Sequence, residues 1–331
     1  MGEPAFRAKQ VWQSLWEKGV HSFDEMTNLP NALRQKLSVH FDVFAMKLEE
    51  KQLSSDGTIK CAFRLFDGEI VEGVLIPQED RMTACISSQV GCSLTCTFCA
   101  TAKLDRKRNL YFDEVYDQVK WIDRLSLEHT GKPLTNIVLM GMGEPLLNYV
   151  QVMKGIERIT APDGLGMSPR RITLSTAGIA KMIKKLADDD VKFNLALSLH
   201  AANDEKRNTI MPINETNTIS ALKEALRYFY DKTGTRITLE YVMLQGFNDT
   251  LADADELAAF SRTVPSKINL IEYNPIDGGI FKKSFGNAIY RFKDRLEHHN
   301  VIVNIRRSRG EDIDAACGQL ANKSKARQAV S

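Results

Sequence analysis

From residue 82 onward the chain alternates short apolar runs with amphipathic stretches. The runs at 82–87, 136–140, 171–175, 192–199, 236–242 and 267–273 are strand-like. Between them, apolar residues recur at helical spacing. In 112–125, Phe112, Val115, Val119, Ile122 and Leu125 fall on one stripe. Similar patterns near 149–159, 178–187, 217–230, 250–263 and 284–299 predict further helices, and 301–305 a last strand. Strands and helices in strict succession predict an α/β fold built on a parallel sheet or barrel.

The first 80 residues follow other rules. Residues 1–50 read as helical: Val11, Leu15 and Trp16, then Phe41, Phe44 and Leu48, lie near helical spacing, with a boundary at Pro30. Residues 58–76 read as a β-hairpin around Asp67-Gly68, a two-residue turn signal. Such a turn sets Leu65 opposite Ile70, Phe63 opposite Glu72 and Cys61 opposite Val74. Glu72 then shares a face with Ile70, Val74 and Ile76. A carboxylate on that face sits at a rim, pairs with a cation or has a chemical task.

In a βα barrel the active site gathers where the strands end. Polar or special residues stand at those ends here: Gly141-Met142-Gly143-Glu144-Pro145, Ser175-Thr176-Ala177-Gly178, Ser198-Leu199-His200 and Tyr273-Asn274-Pro275.

Composition narrows the class. Of 331 residues, 43% are hydrophobic and 26% charged, which excludes a disordered or fibrous chain. No apolar run approaches the roughly 18–20 residues of a membrane span. The N-terminus is charged and has no apolar signal-peptide core, so a cytoplasmic protein is expected. The net charge of +2 is uninformative, but its distribution is not. Arg106-Lys107-Arg108, the segment 282–309 with Arg306, Arg307 and Arg309, and the tail residues Lys323, Lys325 and Arg327 form basic stretches. They suit either a phosphate-binding face or a solvated helix face and tail.

Three of the six cysteines form Cys92-x3-Cys96-x2-Cys99, directly after the first strand of the alternating region. Soft thiolates select zinc or iron–sulfur clusters. Structural zinc commonly takes four ligands, and no second cysteine pair lies near. Three thiols on one loop suit a [4Fe–4S] cluster with one iron left open. This spacing resembles the radical S-adenosylmethionine (SAM) superfamily. The surrounding CISSQVGCSLTCTFCAT, then GMGEPLLN, LSTAGI, LSLHAAND and RRSRGEDIDAACGQL, narrow the resemblance to the RlmN branch of its RlmN/Cfr family, over nearly the whole chain.

The resemblance implies a partial (β/α)6 TIM-like radical SAM barrel over 81–305. Before it would lie a helical RNA-binding accessory domain over 1–50 and a β-hairpin linker over 51–80. A C-terminal loop and basic tail would occupy 306–331. Family members usually carry a further helix before the point where this chain begins. The resemblance also implies a [4Fe–4S] cluster on Cys92, Cys96 and Cys99. SAM would be bound by Gly143, Glu144, Ser175, Ser198, Leu199, His200 and Asn274. Cys317 would carry a methyl group, Cys85 would resolve a protein–RNA crosslink by disulfide formation, and Glu72 would accept the C2 proton. The implied partners are 23S rRNA, tRNA and an electron donor such as flavodoxin, and a monomer is expected. Cys61 matches no family role and is expected in the core. Methylation of adenine C2 is the implied reaction, and the Cfr-type C8 reaction is an alternative. A zinc-stabilised RNA-binding protein is a more distant one. A doubly wound SAM methyltransferase is disfavoured because no G-x-G-x-x-G follows the first strand.

Overall fold

The computed structural model describes residues 2–20, 22–41, 43 and 46–323. Helices α1 (Phe6–Trp16) and α2 (Asn31–His40) come first, followed by strands β1 (Lys47–Leu53), β2 (Ile59–Arg64), β3 (Ile70–Gln78) and β4 (Arg81–Cys85). A short ribbon, β5 (Gln89–Val90) and β6 (Arg108–Asn109), brackets the cysteine loop. The chain then alternates: α3 (Phe112–Thr130), β7 (Asn136–Leu139), α4 (Tyr149–Thr160), β8 (Ile172–Thr176), α5 (Ala180–Asp188) and β9 (Asn194–Ser198). It continues with α6 (Asp204–Ile210), α7 (Ile219–Thr233), β10 (Ile237–Met243), α8 (Leu251–Ser261), β11 (Ser266–Glu272), α9 (Ala288–His298) and β12 (Val303–Arg306).

Among the described residues one sheet runs β1-β2-β3-β4-β7-β8-β9-β10-β11-β12. From β4 to β12 every pairing is parallel, as in a partial barrel, while β1 to β4 pair antiparallel. The amphipathic stripe of α3 explains its place: Val115, Val119 and Ile122 are fully buried against the sheet. Each such side chain contributes roughly 1.5–3 kcal/mol. Strand β10 is buried at every position, which is why it reads as a mostly apolar run interrupted only by Thr238 and Glu240. The N-terminal helices enclose a small core of Phe23, Met26, Leu29 and Leu33. They dock on the barrel where Trp16 stacks on Phe112 and Trp121 Nε1 donates to Met46 O at 2.7 Å. Among the described residues no helix is long and apolar enough to cross a membrane.

Three expectations are corrected. Leu48 is not on a helix; it lies in β1, and Phe44 falls outside the described residues. Helix α6 was not anticipated, because its charged sequence DEKRNTI carries little apolar periodicity. The hairpin register is displaced by one residue. Arg64 faces Ile70, Phe63 faces Val71, Ala62 faces Glu72 and Cys61 faces Gly73. The cause is the turn: Leu65 N donates to Glu69 O, so three residues, Phe66 to Gly68, form the loop. Gly68 has φ of +80°, the left-handed residue that closes a three-residue hairpin. A one-residue slip exchanges the cross-strand neighbours of every side chain. It gives Glu72 the company of Lys60.

Candidate functional site

Parallel strands deliver their C-terminal ends to one rim, and a cavity of about 170 Å³ opens there. Cys92, Cys96 and Cys99 line one wall. Their loop is held by the Cys92–Asp105 bridge at its base and by Thr97 N donating to Ile210 O between Cys96 and Cys99. Burial pushes the Cys92 thiol up to about 11 and raises Cys96 and Cys99 as well. No three metal-ligating side chains among the described residues converge tightly enough to share one ion. Three thiols on one loop are soft donors, the ligand chemistry that iron–sulfur clusters take.

The opposite wall comes from β7, β8 and β9. Gly143 has φ of +93°, and a Cβ there would lie 2.5 Å from Gln89 Cβ and 2.9 Å from its amide nitrogen. Only glycine fits. Glu144 follows, buried, with Oε1 accepting from Leu146 N at 3.0 Å and Oε2 from Ala177 N at 2.7 Å. Burial raises its pKa against those two bonds. Ser175 and Ser198, on adjacent strands, bring their hydroxyls to 3.2 Å. His200 has φ of +59°, and Val242 N donates to its Nδ1 at 3.0 Å. Burial lowers its pKa to about 3, so the ring is neutral and its proton is on Nε2. Gly143, Glu144, Ser175, Ser198 and His200 all line the cavity. Leu199 and Asn274 do not. The Leu199 side chain packs in the core, and Asn274 Nδ2 reaches Cys317 O at 3.2 Å.

Sequence reasoning missed what holds this rim. Arg207 is fully buried and donates to the carbonyls of Ala177, Ser198 and Leu199 and to Asn214 Oδ1. It ties the ends of β8 and β9 together. Glu240 and Tyr273 also line the cavity; among the described residues Glu240 Oε2 and Tyr273 Oη are buried without a hydrogen-bond partner, and Arg306 Nη1 stands 3.6 Å from Glu240 Oε2. Such atoms are costly unless a polar ligand meets them. The cavity therefore fits a polar group beside the thiols.

Cys317 enters the cavity from the C-terminal loop and is exposed there. That loop is fastened on several sides. Ala100 N donates to Gly318 O at 2.7 Å, Thr101 Oγ1 to Leu320 O at 2.7 Å and Gln319 Nε2 to Pro275 O at 3.1 Å. Cys85 ends β4 behind the cavity wall; burial, then Cys317, pushes its thiol up to about 12. Glu72 is buried outside the cavity lining. Its Oε2 accepts from Ala321 N at 2.8 Å and Asn322 N at 3.1 Å, so it grips the loop that presents Cys317. Burial, opposed by Lys60, raises its pKa. Cys61 is a buried thiol, as expected.

The basic segments divide. Arg106 and Lys107 are exposed and have no partner among the described residues. Arg108 is bound to Glu114 and Asp67. Arg306 turns into the cavity wall, 3.6 Å from Glu240, while Arg307 and Arg309 pair with Glu272 and Asp56. Arg306 is thus committed to an internal pair, whereas Arg307 and Arg309 stay at the surface in exposed ion pairs. Lys325 and Arg327 fall outside the described residues.

Residues 86–258 match the family profile "Radical SAM superfamily", and residues 1–43 match "Ribosomal RNA large subunit methyltransferase N-terminal domain". A protein of Cytophaga hutchinsonii named "Probable dual-specificity RNA methyltransferase RlmN" is 59% identical, over 97% of this chain and 88% of its own. "Dual-specificity RNA methyltransferase RlmN" of Anaeromyxobacter dehalogenans is 43% identical, over 97% and 87%. The crystal structure of a radical SAM methyltransferase from Sphaerobacter thermophilus superposes with a TM-score of 0.92 at 39% identity, covering 96% of this chain and 94% of that one.

Proposed function

The chain belongs to the RlmN family of radical SAM RNA methyltransferases, and from that premise we propose that it methylates carbon 2 of adenosine in 23S rRNA and in tRNA. The observation that carries the reading is the shared cavity. Cys92, Cys96, Cys99, Glu144, Ser175, Ser198 and His200 line it together, and Cys317 joins them from the C-terminal loop.

Cys92, Cys96 and Cys99 would hold the [4Fe–4S] cluster of the superfamily. Gly143, Glu144, Ser175, Ser198, the backbone at Leu199, His200 and Asn274 would hold SAM. When bound, cluster and SAM supply the methyl group and the radical chemistry that an electrophilic ring carbon requires. An electron donor such as flavodoxin would serve them.

The protein's own residues do the rest. Cys317 Sγ carries the methyl group; once one of its hydrogens has been lost to the radical that SAM would supply, that carbon would bond to adenine C2 as a crosslink, and the odd electron would return to the cluster. Glu72 takes the C2 proton. Cys85 Sγ then attacks Cys317 Sγ: a disulfide forms, the carbon–sulfur bond breaks, and the released carbon takes a proton to become the new methyl group. Buried thiols are poor nucleophiles until deprotonated, and Arg306 beside Cys85 favours its thiolate. The base must leave its stack to reach C2. Arg106 and Lys107, exposed just before β6, would meet phosphates.

The test is anaerobic reconstitution with iron and sulfide, then reaction with SAM, reductant and unmodified rRNA or tRNA. Mass spectrometry of digested nucleosides should give 2-methyladenosine together with 5′-deoxyadenosine. A methyl group on C8 would overturn the regiochemistry, and a colourless zinc protein giving neither product would overturn the whole reading.

A further inference from the structure

Strand β2, IKCAFR, is buried at five of its six positions, and one of the five is a lysine. Lys60 keeps only 6% of its surface exposed. An ammonium group taken out of water costs several kcal/mol unless a counter-charge meets it. Among the described residues the carboxylate that pairs with it is Glu72, whose Oε1 lies 3.9 Å from Lys60 Nζ. The pairing exists because of the observed register. Lys60 faces Val74 across the β2–β3 ladder, which sets it diagonal to Glu72 on the same face.

The geometry of this pair is specific. A structural ion pair normally closes to a hydrogen bond of about 2.7–2.9 Å. This one does not, and the lone pairs of Oε1 stay free of hydrogen bonds among the described residues. Oε2, by contrast, is used by the amides of Ala321 and Asn322. The Glu72 backbone is held as well: its N donates to Met142 Sδ and its O accepts from Ser87 Oγ. Asp314 on the C-terminal loop opposes ionisation, but Lys323 holds it at 2.6 Å. Lys60 is therefore the cation placed to keep a buried carboxylate ionised while leaving one oxygen able to take a proton.

We propose that Lys60 is a positioning residue for proton transfer: it holds Glu72 in the charged, proton-accepting form without occupying the oxygen that accepts. The proposal rests on the reading of Glu72 as the base. In the step itself, the C2–H proton of the crosslinked adenine passes to a Glu72 oxygen. The electrons of that bond stay with the ring, and the Lys60–Glu72 pair becomes an ammonium beside a neutral acid.

The test is the pH profile of single-turnover methylation by the reconstituted enzyme, with wild type, Lys60→Gln, Lys60→Arg and Glu72→Gln. An opposite charge within reach lowers a carboxyl pKa by about 1–3 units. Lys60→Gln should move the acid limb up by about one pH unit or more. It should cut the rate on that limb about tenfold, with KM for RNA unchanged because Lys60 is buried. Lys60→Arg should restore the limb, which a merely structural role would not require. Lys60→Met serves the same comparison if the glutamine variant does not fold. Glu72→Gln should abolish the limb and the rate together. A wild-type profile in Glu72→Gln would overturn the base reading and this inference with it. Loss of the limb in Glu72→Gln alongside an unmoved limb in Lys60→Gln would overturn this inference alone.

Discussion

Arg207 offers the most demanding test of how the rim is built. Its guanidinium is fully buried and has no carboxylate partner at ion-pair distance among the described residues. It is met by oxygen dipoles: Leu199 O at 3.0 Å from Nε, Asn214 Oδ1 at 2.7 Å from Nη1, and the carbonyls of Ala177 and Ser198 from Nη2. Burial lowers its pKa only to about 10, so the group stays charged at neutral pH. Replacing it with methionine keeps the bulk of the stem and removes every donor. Each orphaned buried acceptor costs about 1–3 kcal/mol. Leu199 O still accepts from Ala201 N, so even at the low end three orphaned acceptors give about 3 kcal/mol. For a large domain about 1 kcal/mol corresponds to about 2–4 °C, so the melting temperature should fall by roughly 10 °C. Calorimetry on the anaerobically reconstituted protein reads this directly. The carbonyls it ties belong to the residues that flank Ser175, Ser198 and His200. SAM affinity by titration calorimetry should therefore fall too, by at least about tenfold. A variant melting within about 2 °C of wild type, with unchanged SAM affinity, would refute the argument that Arg207 fixes the ends of β8 and β9.

Other expectations are more direct. Cys317→Ala should give no methylated RNA while the brown cluster absorbance is retained. Cys85→Ala should accumulate a covalent protein–RNA adduct that migrates above free protein on denaturing gels, and normal turnover by either cysteine variant would reject the two-thiol route. Gly143→Ala forces a side chain into positive φ against Gln89, a strain of about 1–3 kcal/mol, so SAM should bind roughly tenfold or more weakly while iron content stays the same.

Much of this protein was determined locally. The 3.6-residue stripe on α3 and the apolar runs of β7 to β11 fix those elements, because burial on one or both faces selects the pattern. The cysteine spacing alone pointed to soft-metal chemistry, since thiolate preference belongs to the ligand and not to the fold. Glu72 stood out because a carboxylate on an apolar strand face is costly wherever that strand lies. Tertiary structure decided how these pieces meet. Whether Asp67-Gly68 sits in a two- or three-residue loop turns on the backbone at Gly68, a small local difference that displaces the β2–β3 register by one residue. That displacement, invisible in periodicity, creates the Lys60–Glu72 pair. Arg306 and Arg207 look like surface charge in the sequence. Their partners, Glu240 and the carbonyls of Ala177, Ser198 and Leu199, come together only when the parallel strands align their ends. Electrostatic and hydrogen-bond partners are set by distance in space, and closing a barrel brings together residues that sequence separation keeps apart.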